Sequence, residues 1–146
     1  MQISSKFTIA LHILSCVIFF DGKEKITSEF LAGSIHCNPV IVRKILSQLS
    51  HAGLIQVKRG TGGIEILHPL REISFYDIYE AVEVVDQDSL FRFHMDANEA
   101  CPIGRNIHTL LDARLDDIQE AMEKRMRKHT LADLRHDLKS IREMQL

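Results

Sequence analysis

Residues 38–67 read NPVIVRKILSQLSHAGLIQVKRGTGGIEIL: a helix, a short strand, a glycine-rich basic turn and a returning strand. Asn38 followed by Pro39 is a helix start, because the Asn side chain accepts from an early backbone N–H and proline stands where its missing donor is not needed. Gly53 is the stop signal. Between them Ile41, Val42, Ile45, Leu46 and Leu49 recur at helical spacing and predict the buried face. Asn38, Val40, Arg43, Lys44, Ser47, Gln48 and His51 fall on the outward face, which is polar and cationic. After Gly53, Leu54, Ile55 and Val57 predict a short strand, and Ile64, Ile66 and Leu67 its partner. The turn between them is Arg59-Gly60-Thr61-Gly62-Gly63, with Lys58 at its base.

Charge points the same way. No Asp or Glu occurs from Phe30 to Ile64, whereas Arg43, Lys44, Lys58 and Arg59 do, so this window carries +4 in a chain of net charge −2. A segment charged so differently from its own protein suggests a local footprint for a polyanion.

Working outward, residues 4 to 20 predict a helix apolar on most sides, with Phe7, Ile9, Ala10, Leu11, Ile13, Leu14, Val17, Ile18 and Phe20. Such a helix sits centrally and touches several partners. Asp21-Gly22-Lys23-Glu24-Lys25 is the following turn, and Thr27 caps a second helix containing Phe30, Leu31 and Ile35. The short turn Ile35 to Cys37 then gives helix-turn-helix spacing, with the helix from Asn38 as the reader. Cations on phosphates supply sequence-independent affinity, and side chains near the reader's N-terminus reach base edges. Asn38, Val40, Ile41, Arg43 and Lys44 form that end. Arg43 suits a guanine, Asn38 a base or phosphate, Val40 an apolar contact such as a thymine methyl, and Arg59 a narrow minor groove.

Past the hairpin, Pro69 ends the strand and Ser74 with Asp77 caps a further helix. Asp77, Glu80, Glu83, Asp86 and Asp88 lie in a stretch with no Lys or Arg between Arg71 and Arg92, a solvated face turned away from DNA. Residues 86–100 lose periodicity and predict a loop. A long helix is expected from Pro102 to about Lys128, roughly 40 Å at 1.5 Å per residue. Ile103, Ile107, Leu110, Leu111, Leu115, Ile118, Ala121, Met122 and Met126 make its apolar side. The spacing of that stripe, about 3.8 residues, does not indicate a strict heptad seam and fits a crossed or locally repacked helix pair better. Thr130 with Asp133 caps a last amphipathic helix carrying Leu131, Leu134, Leu138 and Ile141, expected to fold back on a partner; an intramolecular hairpin is the alternative.

The pattern Val42-Arg43-Lys44-Ile45-Leu46, Leu49, Gly53-Leu54-Ile55 and Lys58-Arg59-Gly60-x-Gly62-Gly63 resembles the Rrf-two family of bacterial winged-helix transcription regulators. Ser4-Ser5-Lys6, Arg71-Glu72-Ile73-Ser74-Phe75-Tyr76-Asp77-Ile78 with Glu80-Ala81-Val82-Glu83, and Cys101-Pro102-Ile103-Gly104 carry the likeness over nearly the whole chain. It implies a mainly α fold with a small β-hairpin wing. Residues 1–85 would form a winged helix-turn-helix domain, 86–101 a loop with a sensing role, and 102–146 dimerisation helices. DNA contacts are expected at Ser4, Lys6, Asn38, Val40, Ile41, Arg43, Lys44, Ser47, Lys58, Arg59 and Gly60. The dimer contacts are expected at Ile107, Leu111, Leu115, Ile118 and Met122. The implied protein is a homodimeric repressor on a pseudo-palindromic operator in double-stranded DNA.

Some members of that family hold an iron–sulfur cluster through three closely spaced cysteines before the dimer helix. Here only Cys101 lies in that region; Cys16 is in the first helix and Cys37 at the helix-turn-helix turn. Cluster ligation needs several thiolates or substitutes at one place, so no cluster and no metal site is expected, even with His94 and His108 to supplement Cys101. Cys101, at the opening of a long helix, and Cys37, beside the reader, are the candidate redox thiols; the alternative for each is packing, Cys101 as an apolar plug between loop and dimer helix and Cys37 as a half-buried turn residue. No disulfide is expected in a reducing compartment.

The remaining bounds are broader. Hydrophobic residues make up 45% and charged residues 26%, the balance of an ordinary folded domain rather than a disordered chain. The most apolar run, Phe7 to Phe20, falls short of the roughly 20 residues that span a bilayer, and no signal peptide is recognisable, so a cytoplasmic location without membrane contact is expected. No P-loop, Gly-x-Ser-x-Gly elbow, His-Glu-x-x-His or Cys-x-x-Cys spacing points to an enzyme. The rival to a DNA reader is a protein-interaction module using the same winged-helix surface. The sequence names neither the operator nor an effector.

Overall fold

The computed structural model describes residues 3–58, 63–83, 90–91 and 93–144. Its organising element is helix α1, Ser5–Phe19. Being apolar on most sides, it packs against several neighbours at once, and Ala10, Ile13, Leu14, Cys16 and Val17 are buried. Around it stand α2, Ser28–Ile35; α3, Pro39–His51; a two-stranded antiparallel hairpin of β1, Ile55–Val57, and β2, Ile64–Ile66; and α4, Phe75–Val82, after a 3₁₀ turn at Leu70–Glu72. A one-turn helix α5, Pro102–Arg105, precedes α6, Ile107–Met126, and α7, Leu131–Met144, closes the chain.

Local chemistry sets these boundaries. Ser4 caps α1, Thr27 accepts from the Phe30 N–H at 3.0 Å, and Asn38 Oδ1 accepts from the Val40 N–H at 2.9 Å. His36 holds the left-handed conformation at φ 59°, which turns the chain sharply from α2 into α3. Gly53, at φ 78°, ends α3 with both bonds of a Schellman motif: Gly53 N–H to Ser50 O at 3.0 Å and Leu54 N–H to Leu49 O at 3.1 Å. The chain thereby enters β1, whose register pairs Ile55 with Ile66, Gln56 with Glu65 and Val57 with Ile64. Ser74 and Asp77 form a complete capping box on α4.

Val42, Ile45, Leu46 and Leu49 of α3 join Ile13, Leu14, Leu31, Ile55, Ile73, Ile78 and Val82 in one core. Ile41 does not. The expected buried stripe included it, but in the first turn of α3 it lies at the edge of the apolar arc and is 43% exposed.

The second half departs from expectation in two places. The helix expected from Pro102 to Lys128 is broken at Asn106, where the backbone leaves helical geometry at φ −109° and ψ 12°. Asn106 Nδ2 donates to Pro102 O at 2.7 Å, and a side chain at Gly104 would run into the Asn98 carbonyl, so the loop folds tightly onto this turn. The continuous helix is therefore α6 alone, 20 residues and about 30 Å long. The second departure is α7, which packs on α1 of its own chain. Leu131 is fully buried, its N–H donates to Ile73 O at 3.0 Å, and Phe75 N–H donates to His129 O at 2.8 Å. Arg142 reaches the Phe19 carbonyl at the far end of α1.

Leu131 thus fastens α7 to the core. Leu131→Ala should cost about 2–5 kcal/mol, read as a lowered midpoint in urea unfolding; a loss below about 1 kcal/mol would show that α7 is not part of the cooperative unit.

Candidate nucleic-acid interface

Because Val42, Ile45, Leu46 and Leu49 hold the back of α3 in the core, its other face stands clear of the body. Val40, Ile41, Arg43, Lys44 and Ser47 are all exposed there, while Gln48 is half-buried. Val40, Lys44 and Ser47, at i, i+4 and i+7, form the centre of that face, with Arg43 on one flank and Ile41 on the other. Asn38 lies at the helix tip. Its Oδ1 is committed to the cap, which leaves the side-chain NH₂ as a donor.

Two of the cations here pair with acids of neighbouring elements. Arg43 Nη1 lies 3.6 Å from Glu29 Oε1 on α2, and Lys58 Nζ lies 3.5 Å from Glu65 Oε2 on β2. Glu29 and Glu65 are the acids that bound the acid-free window at its two ends, so chain folding returns them to its cations. The four side chains are all more than half exposed, and pairs so open to water are worth little by themselves. Sequence reading missed both acids as part of the site, although their position at the window's edges was the available signal. Lys44 makes no ion pair among the described residues.

Lys58 N–H donates to Gly63 O at 2.9 Å, closing the base of the hairpin. Arg59 and Gly60 lie outside the described residues. Ser4, the cap of α1, and Lys6, in its first turn, are half-buried. Two contacts fix the course of α2 along α1: the Phe20 and Phe30 rings meet edge to face at 5.2 Å, and His12 Nε2 lies 3.0 Å from Ser34 Oγ.

On α6 no residue is buried. Ile118 is 51% exposed and Leu110 50%, while Ile107, Leu111, Leu115 and Met122 are half-buried. The helix is anchored at its C-terminal end, where the Arg127 guanidinium lies 4.0 Å over the Tyr76 ring, and Gln119 Oε1 accepts from Leu90 N–H at 2.7 Å. Burial, with Glu80 nearby, raises the Tyr76 phenol above its ordinary value.

The three thiols are separated by the fold. Cys16 is buried in α1 with its sulfur 3.6 Å from Ser34 Oγ, and Cys37 is half-buried at the turn before α3. Cys101 stands before α5, and the backbone N–H groups of Gly104 and Ile103 hold its thiol below the ordinary value. His108 stacks on Phe93 at 4.1 Å and pairs with Asp112 at 3.1 Å. Among the described residues no group of three or more His, Cys, Asp or Glu is placed to hold a metal ion, and no helix is long and apolar enough to cross a membrane.

Residues 3–137 match the family model described as "Rrf2: Iron-dependent Transcriptional regulator", the Rrf-two family of the sequence resemblance. The "Putative HTH-type transcriptional regulator YwnA" of Bacillus subtilis is 34% identical over 137 residues, covering 94% of this chain and 99% of that one. A solved "putative transcriptional regulator" from Lactobacillus plantarum has a TM-score of 0.71 at 26% identity, covering 97% of both chains. CymR, described as the global cysteine regulator of B. subtilis, superposes with a TM-score of 0.65 at 21% identity, covering 93% of this chain and 97% of its own, a likeness of fold. Among the described residues no His, Cys, Asp or Glu cluster answers to the iron in the family's description, and Cys16, Cys37 and Cys101 lie on different elements. With a winged-helix fold and a family match over nearly its whole length, the chain belongs to the Rrf2 family of transcriptional regulators and not to an enzyme family.

Proposed function

We propose that the protein is a homodimeric repressor that binds a pseudo-palindromic DNA operator, with α3 of each protomer in a major groove. The observation that carries this is the outward face of α3: a cationic and aliphatic surface, clear of the body, on a helix whose back is locked in the core. Asn38, Val40, Ile41, Arg43, Lys44 and Ser47 supply the groove contacts. Ser4, Lys6 and Lys58 meet phosphates, and Arg59 with Gly60 at the wing enters the adjacent minor groove. The exposed apolar side of α6, through Ile107, Leu111, Leu115, Ile118 and Met122, crosses the equivalent helix of a second protomer. That pairing sets two readers on successive major grooves, about one helical turn apart. No iron–sulfur cluster takes part. Cys101 is the thiol suited to redox control, since its lowered pKa favours the reactive thiolate; Cys37, beside α3, is the second candidate.

Fluorescence anisotropy on a labelled duplex from upstream of the protein's own gene, with random competitor and a salt series, tests the assignment. Competitor-resistant binding that weakens steeply with salt is expected. Absence of binding to every duplex at low salt would instead favour a protein-interaction module. Arg43→Ala should weaken specific binding by at least about tenfold, and Arg59→Ala should reduce affinity and flatten the salt dependence by about one unit of slope, with the fold intact. Unchanged affinity would remove the residue concerned from the interface. Leu111→Glu with Leu115→Glu should yield monomers in sedimentation equilibrium; a persistent dimer would place the interface elsewhere.

The lowered pKa of Cys101 has a definite sign in a pH series. Its thiolate persists to lower pH in the folded protein than in the unfolded chain. In a Cys16→Ala, Cys37→Ala background, alkylation by iodoacetamide should reach half its maximal rate at lower pH in native protein than in urea. Equal midpoints would show that the Gly104 and Ile103 N–H groups do not act on the thiol in solution.

A further inference from the structure

We infer that Val40 and Ile41 read thymine methyl groups in the major groove, so that each half-site carries thymines whose C5-methyls these two side chains cover. This rests on the DNA-reading role proposed above and assigns the base it recognises.

Val40 and Ile41 follow Pro39 in the first turn of α3, the end from which a recognition helix reaches base edges. They are 60% and 43% exposed, two adjacent branched aliphatic side chains where the neighbouring outward residues are polar. Their own core has no place for them. Its arc on α3 is completed by Val42, Ile45, Leu46 and Leu49, each buried. Nor are they needed to start the helix, because Asn38 and Pro39 already do that. The polar side chains at the same end are partly engaged: Asn38 Oδ1 is bound to the Val40 N–H, and Arg43 is drawn toward Glu29.

Of the groups that base pairs present in the major groove, the thymine C5-methyl is the apolar one; the rest are hydrogen-bond donors and acceptors. An aliphatic side chain pressed on a donor or acceptor strips its water and offers no partner, which disfavours the other bases at that position. The pair therefore selects in two ways, by covering a methyl and by penalising polar edges. Successive residues on a helix point about 100° apart, so Val40 and Ile41 address different bases. Val40 shares the centre of the face with Lys44, one turn behind it, and Ile41 lies on the flank opposite Arg43.

The test uses the full-length protein and duplexes enriched from a random-sequence library. Uracil replaces each thymine of the enriched duplex in turn, a change that removes one methyl and leaves the pairing edge intact. Wild-type affinity should fall about fourfold at two or more thymines in each half-site. Val40→Ser and Ile41→Ser, both at exposed positions, should keep the melting temperature of the wild type and each become indifferent to uracil at its own thymine. Specific binding that uracil leaves unchanged at every position overturns the inference while leaving the DNA-reading role standing. Uracil penalties that persist undiminished in both variants overturn it as well. Failure of the wild type to bind or enrich any duplex overturns both.

Discussion

Everything outward in this protein depends on the seating of α3 against the core. Val42, Ile45, Leu46 and Leu49 are spaced so that one arc of the helix is wholly apolar, and that arc meets α1, α2 and α4. A reader must present side chains at fixed positions, and a helix held only at its ends would fray. Here the back is clamped, the front edge is set by Asn38 and Pro39, and the rear edge by the Schellman turn at Gly53. Three separate devices thus fix one helix in position and rotation. The hairpin inherits its place from the same turn, since Leu54 N–H is bonded to Leu49 O before β1 begins.

Much of this was legible because it is local. The caps at Thr27, Asn38 and Ser74, the stop at Gly53 and the alternation in the hairpin all reside within a few residues of the structure they cause. What escaped was long-range or marginal. Ile41 has the composition of a core residue and lies within one residue step of the buried arc; only the completed packing shows that the core closes without it. The break at Asn106 escaped because Pro102 and the apolar spacing beyond it read as one helix, whereas the constraint is the close approach of Asn98 to Gly104, which no periodicity encodes. Ion pairing of Arg43 with Glu29 depended on how α2 crosses α3.

The two halves of the molecule use hydrophobic residues differently. Around α1 they are consumed inward, and α7 adds to that body through Leu131 and Leu134. Along α6 they are offered outward, with no residue buried over 20 positions. That helix is held by its own chain at the Arg127 end, and its apolar side stands half-buried or exposed. With α7 packed on α1, the core around α1 is completed by the last helix of the same chain.

Under the DNA-reading proposal, Glu29 and Glu65 stand where phosphate oxygens would: 3.6 Å from the Arg43 guanidinium and 3.5 Å from the Lys58 ammonium. Both pairs are open to water, so exchanging the carboxylate for a phosphate costs either cation little. Two ion pairs that add next to nothing to stability therefore leave the charge of this surface free for an outside anion.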